Sequence, residues 1–385
     1  MIYLDNAATT FPKSEEVYRA MDDTNRHLAV NAGRGSYALA RKAAEMIQNT
    51  REALLAVAGA EKIAAEVVFT ASATIAFNAI IGGLHWTGEE TVYVSPYEHN
   101  AVMRTLRGYQ KKFFFSIQEL PLKEDTLEID VDKTKFMFAQ TPPQYVIVNM
   151  VSNVTGYALP VEIVAACAKQ YDATVILDGA QALGSIPVNL KSLNADFLVF
   201  AGHKAIGGPF GIGGYIHQGN SRLQPFLYGG TGSNSLMLDM PEGVDGYEPG
   251  SPNIVAIAGL YTALMGIREE KVRRTNWEKE QHMVRTLRQK LQQIPGLRLY
   301  GAPKEDRQAG ILSVNLEGYR ADEVGNLLDA DYGIAVRTGY HCAPLIHKHL
   351  RDETYGGTVR ISPGRFTTED DLQKAADALR ELAEY

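Results

Sequence analysis

The stretch YVIVNMVSNVTGYALPVEIVAACAKQYDATVILD, residues 145–178, decides the fold class of this chain. It opens with an apolar, β-branched run, passes through a segment at 161–170 with helical spacing after Pro160, and ends in a second apolar run at 174–177. A third run, FLVFA, follows at 197–201. Strand, helix and strand at this pace are typical of a parallel sheet covered by helices on both faces.

The same alternation extends outward from this stretch. Upstream, the pattern predicts helices at 16–21 and 41–58 and strands at 67–70, 91–95 and 113–120. Downstream of Pro252 the pattern changes. It predicts helices at 254–268, 276–294, 321–330 and 369–384, and short strands at 297–300, 311–316, 334–337 and 358–361. We therefore predict an α/β protein with a large domain at 14–255 built on a mostly parallel central sheet. A smaller α+β domain is predicted from 1–13 together with 256–385.

Composition narrows the classes of function. The net charge of −7 gives no sequence-wide basic field, so neither nucleic acid nor an anionic membrane is an expected partner. The sequence contains no unbroken apolar run of about 20 residues and begins without the pattern of a signal peptide. Its two cysteines do not form a disulfide framework, which favours a reducing compartment. We expect a soluble cytoplasmic protein.

Three of the predicted strands lead to side chains suited to cofactor chemistry, namely Asn153, Asp178 and Lys204. The ends of parallel strands meet at one edge of a sheet, where such folds bind ligands. An enzyme of pyridoxal 5′-phosphate (PLP) needs a lysine that binds the cofactor covalently and an acid that keeps its pyridine nitrogen protonated. Taken singly, Asp178 is explained as readily by a turn before Gly179, and the glycines after Lys204 by a plain hairpin.

The motif Asp178-Gly179-Ala180-Gln181, followed by Gly202-His203-Lys204, resembles the signature of class V aminotransferase-fold enzymes. The resemblance is to the cysteine desulfurase and selenocysteine lyase branch, and it extends from Tyr3-Leu4-Asp5-Asn6 to the last helix. It implies the fold-type I fold of PLP-dependent transferases, with pyridoxal 5′-phosphate as the cofactor. It further implies that Lys204 holds the cofactor, that Asp178 pairs with the pyridine nitrogen and that Gln181 donates to the ring oxygen.

The resemblance also implies the remaining contacts of cofactor and substrate. They are Ala73 and Thr74 in the phosphate-binding turn, His99 stacked on the ring and moving protons, Asn153 beside the ring oxygen and the substrate carboxylate, and Arg360 clamping that carboxylate. Ala201 stands where the family commonly has Ser or Thr, so His203 and Ser251 are expected to serve the phosphate. Ser251 belongs to a segment that reaches the phosphate of the neighbouring subunit, which implies a homodimer with shared active sites.

The motif Arg337-Thr338-Gly339-Tyr340-His341-Cys342-Ala343 resembles the second group of the family, in which this cysteine receives the sulfur. A cation beside a thiol favours the reactive thiolate, and Arg337 and His341 are the candidates. Cys167 lies on a small-residue helix face and is expected to be a core thiol. The segment His347-Lys348-His349 departs from the best-studied members and indicates a less characterised subgroup, but it does not support a metal site, and no metal is predicted.

These observations predict a PLP-dependent cysteine desulfurase that converts L-cysteine to L-alanine and forms a persulfide on Cys342. Lys204, Cys342 and His99 are the predicted catalytic residues. The alternatives are a selenocysteine lyase acting on L-selenocysteine, another class V enzyme such as an aminotransferase or an epimerase, and a non-catalytic sulfur-transfer scaffold. The scaffold is disfavoured because it has no need of the full set of cofactor residues. The sequence does not identify the sulfur acceptor, whether protein or small thiol.

Overall fold

The computed structural model describes residues 1–32, 35–61, 63–218, 223–232 and 236–384. Its strands are β1 (Ile2–Tyr3), β2 (Ala65–Thr70), β3 (Thr91–Val94), β4 (Ser116–Glu119), β5 (Tyr145–Asn149), β6 (Thr174–Asp178), β7 (Phe197–Ala201), β8 (Gly213–Gln218), β9 (Leu297–Tyr300), β10 (Leu312–Leu316), β11 (Ile334–Ala335), β12 (Arg337–Gly339) and β13 (Thr358–Ile361). Its α-helices are α1 (Glu15–His27), α2 (Ala38–Val57), α3 (Ala73–Gly83), α4 (Asn100–Phe113), α5 (Val131–Gln140), α6 (Val161–Lys169), α7 (Leu190–Leu193), α8 (Val244–Tyr247), α9 (Ile254–Met265), α10 (Glu270–Leu291), α11 (Ala321–Tyr332), α12 (Ile346–Leu350) and α13 (Glu369–Ala383).

The central sheet confirms the predicted α/β class. Within the described residues its strand order is β2-β8-β7-β6-β5-β3-β4, and the strands from β7 to β4 run parallel. The side chains of β5, β6 and β7 are almost all buried, as the apolar runs predict for strands covered on both faces. Strand β8 is antiparallel to both its neighbours. It brings Gly213 against the start of α3, where a Cβ atom would lie 2.9 Å from the backbone nitrogen of Ala73.

A second, antiparallel sheet of order β12-β13-β10-β9 forms the smaller unit, and β1 pairs in parallel with β11 beside it. Leu4 accordingly packs with Val314 in the core of this unit. Helix α9 instead contributes Ile257 and Leu260 to the core of the central sheet. The division of the chain at 13 and 255 stays a prediction, and this packing argues for moving its second boundary past α9.

Three smaller features complete the fold. Helix α13 begins with a capping box, because Asp371 N–H donates to Thr368 Oγ1 at 3.2 Å while the Asp371 carboxylate accepts from Thr368 N–H at 2.9 Å. Cys167 is buried in α6 against the central sheet, as predicted. Over the described ranges, none of the helices combines the length and the apolar character needed to cross a membrane.

Candidate active site

The carboxyl edge of the central sheet brings Asp178 and Lys204 together. Asp178 ends β6, is buried, and its Oδ1 accepts a hydrogen bond from Ala180 N–H at 2.9 Å. Burial raises the pKa of Asp178, whereas the Ala180 N–H and the Lys204 ammonium act to lower it. Burial in turn lowers the pKa of Lys204, and the Asp178 carboxylate opposes that effect. A buried amine and a buried carboxylate therefore face the same space, and each shifts the pKa of the other toward its charged form.

His99 lies at the same edge, as the residue that caps α4. Its Nδ1 accepts a hydrogen bond from Ala101 N–H at 3.0 Å, so the proton of the neutral ring is on Nε2. Burial, followed by the charges of Lys204 and Arg337, lowers the pKa of His99 to about 3. The ring is therefore uncharged at neutral pH and is suited to lie against an aromatic ring.

The predicted phosphate-binding turn opens α3. Ser72 caps the helix through its Oγ, which accepts from Ile75 N–H at 3.3 Å, and Ala73 and Thr74 form the first turn. Backbone N–H groups at such a helix start lack partners within the helix and attract anions. This turn, stiffened by the capping hydroxyl, is the part of the site that resembles an anion cradle.

His203 and Ser251, the predicted helpers at the phosphate, are placed very differently. The ring of His203 stacks on Phe210 with centroids 4.6 Å apart, and burial lowers its pKa to about 4. Ser251 is exposed, accepts a hydrogen bond from Asn31 Nδ2 at 3.4 Å, and lines a surface cavity of about 910 Å³. The action of Ser251 on a neighbouring subunit stays a prediction.

Gln181 and Asn153 each donate a hydrogen bond to the backbone carbonyl of a residue that is distant along the chain. Gln181 Nε2 donates to the carbonyl of Ala7 at 2.7 Å, and the second N–H of its carboxamide remains for a ligand. Asn153 Nδ2 donates to the carbonyl of His341 at 2.6 Å. Both amides therefore position other parts of the site, and their roles at the cofactor and the substrate stay predictions.

Arg360 of β13 is fully buried, and its guanidinium is already oriented by protein groups. Nη2 donates to Asp5 Oδ1 at 2.6 Å and Nη1 to the carbonyl of Asn153 at 2.9 Å. The sequence does not predict Asp5 as its partner, although Asp5 belongs to the N-terminal motif that carries the family resemblance. A guanidinium has five N–H donors, so the remaining ones are available to a carboxylate. The substrate contact itself stays a prediction.

Cys342 lies half-buried beside His99 and α4, at the margin of a cavity of about 550 Å³. Its Sγ accepts a hydrogen bond from Arg337 Nη2 at 3.3 Å, which places a permanent positive charge at the thiol as predicted. The prediction that His341 also assists is wrong. The His341 ring turns to Thr358, with Nε2 at 2.9 Å from Oγ1, and burial keeps its pKa well below the ordinary value, so the ring is neutral.

The sequence profile of the family described as Aminotransferase class-V matches residues 2–375. The chain belongs to this family. A probable cysteine desulfurase of Methanothermobacter thermautotrophicus is 30% identical over 399 aligned positions, which cover 99% of this chain and 94% of that protein. A cysteine desulfurase of Escherichia coli O157:H7 is 30% identical over 394 positions, with coverages of 99% and 93%. The predicted membership of the class V cysteine desulfurase branch is confirmed.

Solved structures show the same relationship. The apo structure of a cysteine desulfurase from Thermococcus onnurineus NA1 matches with a TM-score of 0.89 at 27% identity, covering 100% of this chain and 94% of that one. The cysteine desulfurase CsdA of Escherichia coli, with an S-sulfonic acid, matches with a TM-score of 0.86 at 25% identity, with coverages of 99% and 94%. These matches confirm the fold-type I architecture predicted for this class V chain.

The residues at the sheet edge fit the pyridoxal 5′-phosphate on which class V enzymes depend. Among the described residues, the buried polar atoms around the site that have no hydrogen-bond partner include His203 Nδ1, Asn153 Oδ1 and Arg360 Nε. Such atoms are destabilising unless a ligand or water supplies the missing bonds. Together with the Lys204 amine, the Asp178 carboxylate and the anion cradle of α3, they form a donor and acceptor set suited to a phosphorylated heterocycle that carries a carbonyl.

Proposed function

We propose that this chain is a PLP-dependent cysteine desulfurase that converts L-cysteine to L-alanine and leaves the sulfur as a persulfide on Cys342. The observation that carries the proposal is the position of the Cys342 thiol. It lies against Arg337 and close enough to Lys204 for a thiolate to raise the pKa of that amine. A transaminase or an epimerase has no use for a thiol at this place. The names of the relatives support the same activity.

The cofactor, when bound, supplies an electron sink for the α-carbon of an amino acid. Lys204 would hold it, Asp178 would face its ring nitrogen, and the N–H groups of Ala73 and Thr74 would hold its phosphate. Lys204 Nζ is the proposed base for the α-proton of L-cysteine, and burial lowers its pKa from the ordinary value. Arg360 orients the substrate through its carboxylate, and neutral His99 is available to exchange a proton at Nε2.

Cys342 performs the sulfur step. Its thiolate attacks the sulfur of the substrate, so that a sulfur–sulfur bond forms while the bond between the β-carbon and sulfur breaks. The electron pair of the broken bond remains on the β-carbon, which takes up a proton to become the methyl group of alanine. The guanidinium of Arg337 stabilises the thiolate before the attack.

The test is a substrate panel of L-cysteine, L-selenocysteine and L-cystine, scored for alanine formation by the PLP-loaded protein with and without a reductant. We expect alanine from L-cysteine in amounts equal to the sulfide released. Alanine from L-selenocysteine alone would overturn the proposal in favour of a selenocysteine lyase. A keto-acid product, without sulfide, would overturn it in favour of an aminotransferase.

Replacing Arg360 with glutamine should raise the KM for L-cysteine roughly 10- to 100-fold. Loss of a charge-assisted contact to a carboxylate is worth about 1.5–3 kcal/mol, which corresponds to that range. Steady-state kinetics with L-cysteine measure the effect, and the cofactor absorbance reports whether the site is intact. As a control, Arg365→Gln removes a half-buried arginine that instead donates to the carbonyl of Ala205 at 2.9 Å. An unchanged KM in the Arg360 variant alone would contradict the predicted clamp.

Two predictions concern the oligomeric state and the location of the protein. The homodimer with shared active sites rests on the resemblance of the segment around Ser251, and the exposure of that hydroxyl is compatible with it. The cytoplasmic location rests on composition and on the small number of cysteines. The acceptor of the persulfide sulfur, protein or small thiol, stays open.

A further inference from the structure

A buried histidine–aspartate pair lies behind the segment that carries Cys342. His347 and Asp352 expose only 3% and 0% of their side chains, and His347 Nδ1 lies 2.6 Å from Asp352 Oδ2. The other ring nitrogen, Nε2, lies 3.0 Å from the backbone carbonyl oxygen of Tyr340. A backbone carbonyl can only accept, so Nε2 carries a proton and donates it to Tyr340. His347 therefore joins a buried carboxylate to the backbone two residues before Cys342.

The backbone at this point is in a conformation that side-chain-bearing residues rarely adopt. The φ angles of His341 and Cys342 are 46° and 59°, so two successive residues lie in the left-handed region. Such a conformation persists only when the surroundings hold it. A release of either residue toward negative φ would swing Sγ away from Arg337.

Three successive carbonyl groups of this turn are each held by a donor from outside it. Asn153 Nδ2 holds the carbonyl of His341 at 2.6 Å, and the backbone N–H of Asn100 holds that of Cys342, also at 2.6 Å. His347 holds the carbonyl of Tyr340, which also accepts the bond of the turn itself from Ala343 N–H at 2.9 Å. Two of the external donors come from the large domain, and His347 supplies the contact from the side of the small domain.

We propose that His347 is a positioning residue for sulfur transfer. Oriented by Asp352, it fixes the Tyr340 carbonyl and so maintains the left-handed turn that keeps Cys342 Sγ at Arg337 and directed into the active site. The inference rests on the proposed function, because transfer of sulfur to Cys342 is the step that the turn serves. It also gives a role to the first histidine of the segment 347–349 in which this chain departs from better-known members of its family.

Two variants of nearly equal size separate the two bonds of His347. The amide nitrogen of glutamine reaches the position of Nε2, so His347→Gln keeps a donor for the Tyr340 carbonyl. The amide of asparagine reaches only the position of Nδ1, so His347→Asn keeps a donor for Asp352 and loses the bond to the turn. We expect kcat with L-cysteine to fall about 10²-fold in His347→Asn, the size of effect expected from misplacing a reacting group by about 1 Å. It should stay within about threefold of wild type in His347→Gln, with KM and cofactor absorbance unchanged in both.

The rate at which iodoacetamide alkylates Cys342, in a Cys167→Ser background, reports on the conformation of the same turn and does not require catalysis. The rate should fall in His347→Asn and be nearly normal in His347→Gln. His349→Ala is the matched control, because His349 lies two residues further along α12 and is exposed. Equal losses of kcat in the two His347 variants, or a fall in cofactor absorbance or thermal stability parallel to kcat, would overturn the proposal in favour of a general structural role. Failure of wild type to form alanine would overturn the proposed function alone, because alkylation still reports on the turn.

Discussion

The variant Lys204→Ala should be colourless when purified with pyridoxal 5′-phosphate and should form alanine from L-cysteine at least about 10⁴-fold more slowly than wild type. Two functions are lost together. The side chain is the covalent attachment proposed for the cofactor, and its amine is the proposed base for the α-proton. Burial lowers the pKa of Lys204, which favours the uncharged, nucleophilic form of the amine relative to an exposed lysine. The visible absorbance spectrum and the rate of alanine formation measure the two functions separately.

Lys13 provides the control for this experiment, because it is a second amine near the same site. Burial lowers the pKa of Lys13 to about 8, and its Nζ donates to the carbonyl of His203 at 2.9 Å. The variant Lys13→Ala should remain yellow after purification with the cofactor. A colourless Lys13 variant beside a yellow Lys204 variant would contradict the assignment of the cofactor lysine.

The strands that carry the site could be predicted from the sequence because their physical constraint is local. Strands β5, β6 and β7 are covered on both faces, so each needs a short, nearly continuous apolar run, and each shows one. The side chains that follow such runs then meet at one edge of the sheet, which is why the sequence predicts that Asp178 and Lys204 lie together. Strand β8 could not be found in this way. It opens with Gly213 and Gly214, and its place between β7 and β2 depends on the close approach of its backbone to α3.

The contacts that orient the side chains of the site could not be predicted from the sequence. The partner of Arg360, Asp5, is 355 residues away along the chain, and the pairing follows from β1 lying beside the small domain. The pairing of His347 with Asp352 is local, yet nothing in the residues around it indicates burial, because the neighbouring Lys348 and His349 are exposed. The sequence also gives no signal for the left-handed turn at Cys342, since neither of its two residues is a glycine.

The variant Cys342→Ser should lose at least about 10³-fold in alanine formation from L-cysteine while it keeps the cofactor absorbance of wild type. A serine hydroxyl is not ionised at neutral pH, so the group that faces Arg337 is no longer a strong nucleophile toward sulfur. The carbonyl of residue 342 still accepts from Asn100 N–H, because that bond involves only the backbone. The site should therefore remain assembled while the sulfur step fails. Mass spectrometry of the protein after incubation with L-cysteine should show an added sulfur atom on wild type and none on the variant.

The second cysteine of the chain makes this test selective. Cys167→Ser is the same change of one atom, but it falls in the buried face of α6, away from the sheet edge. It should leave both the rate of alanine formation and the added sulfur intact, since a hydroxyl in a helix can donate to the carbonyl one turn earlier. With L-selenocysteine the Cys342 variant should retain more of its activity, because the carbon–selenium bond is weaker and depends less on attack by a thiolate. Full turnover of L-cysteine by Cys342→Ser would contradict the persulfide mechanism, and the thiol at Arg337 would then need another explanation.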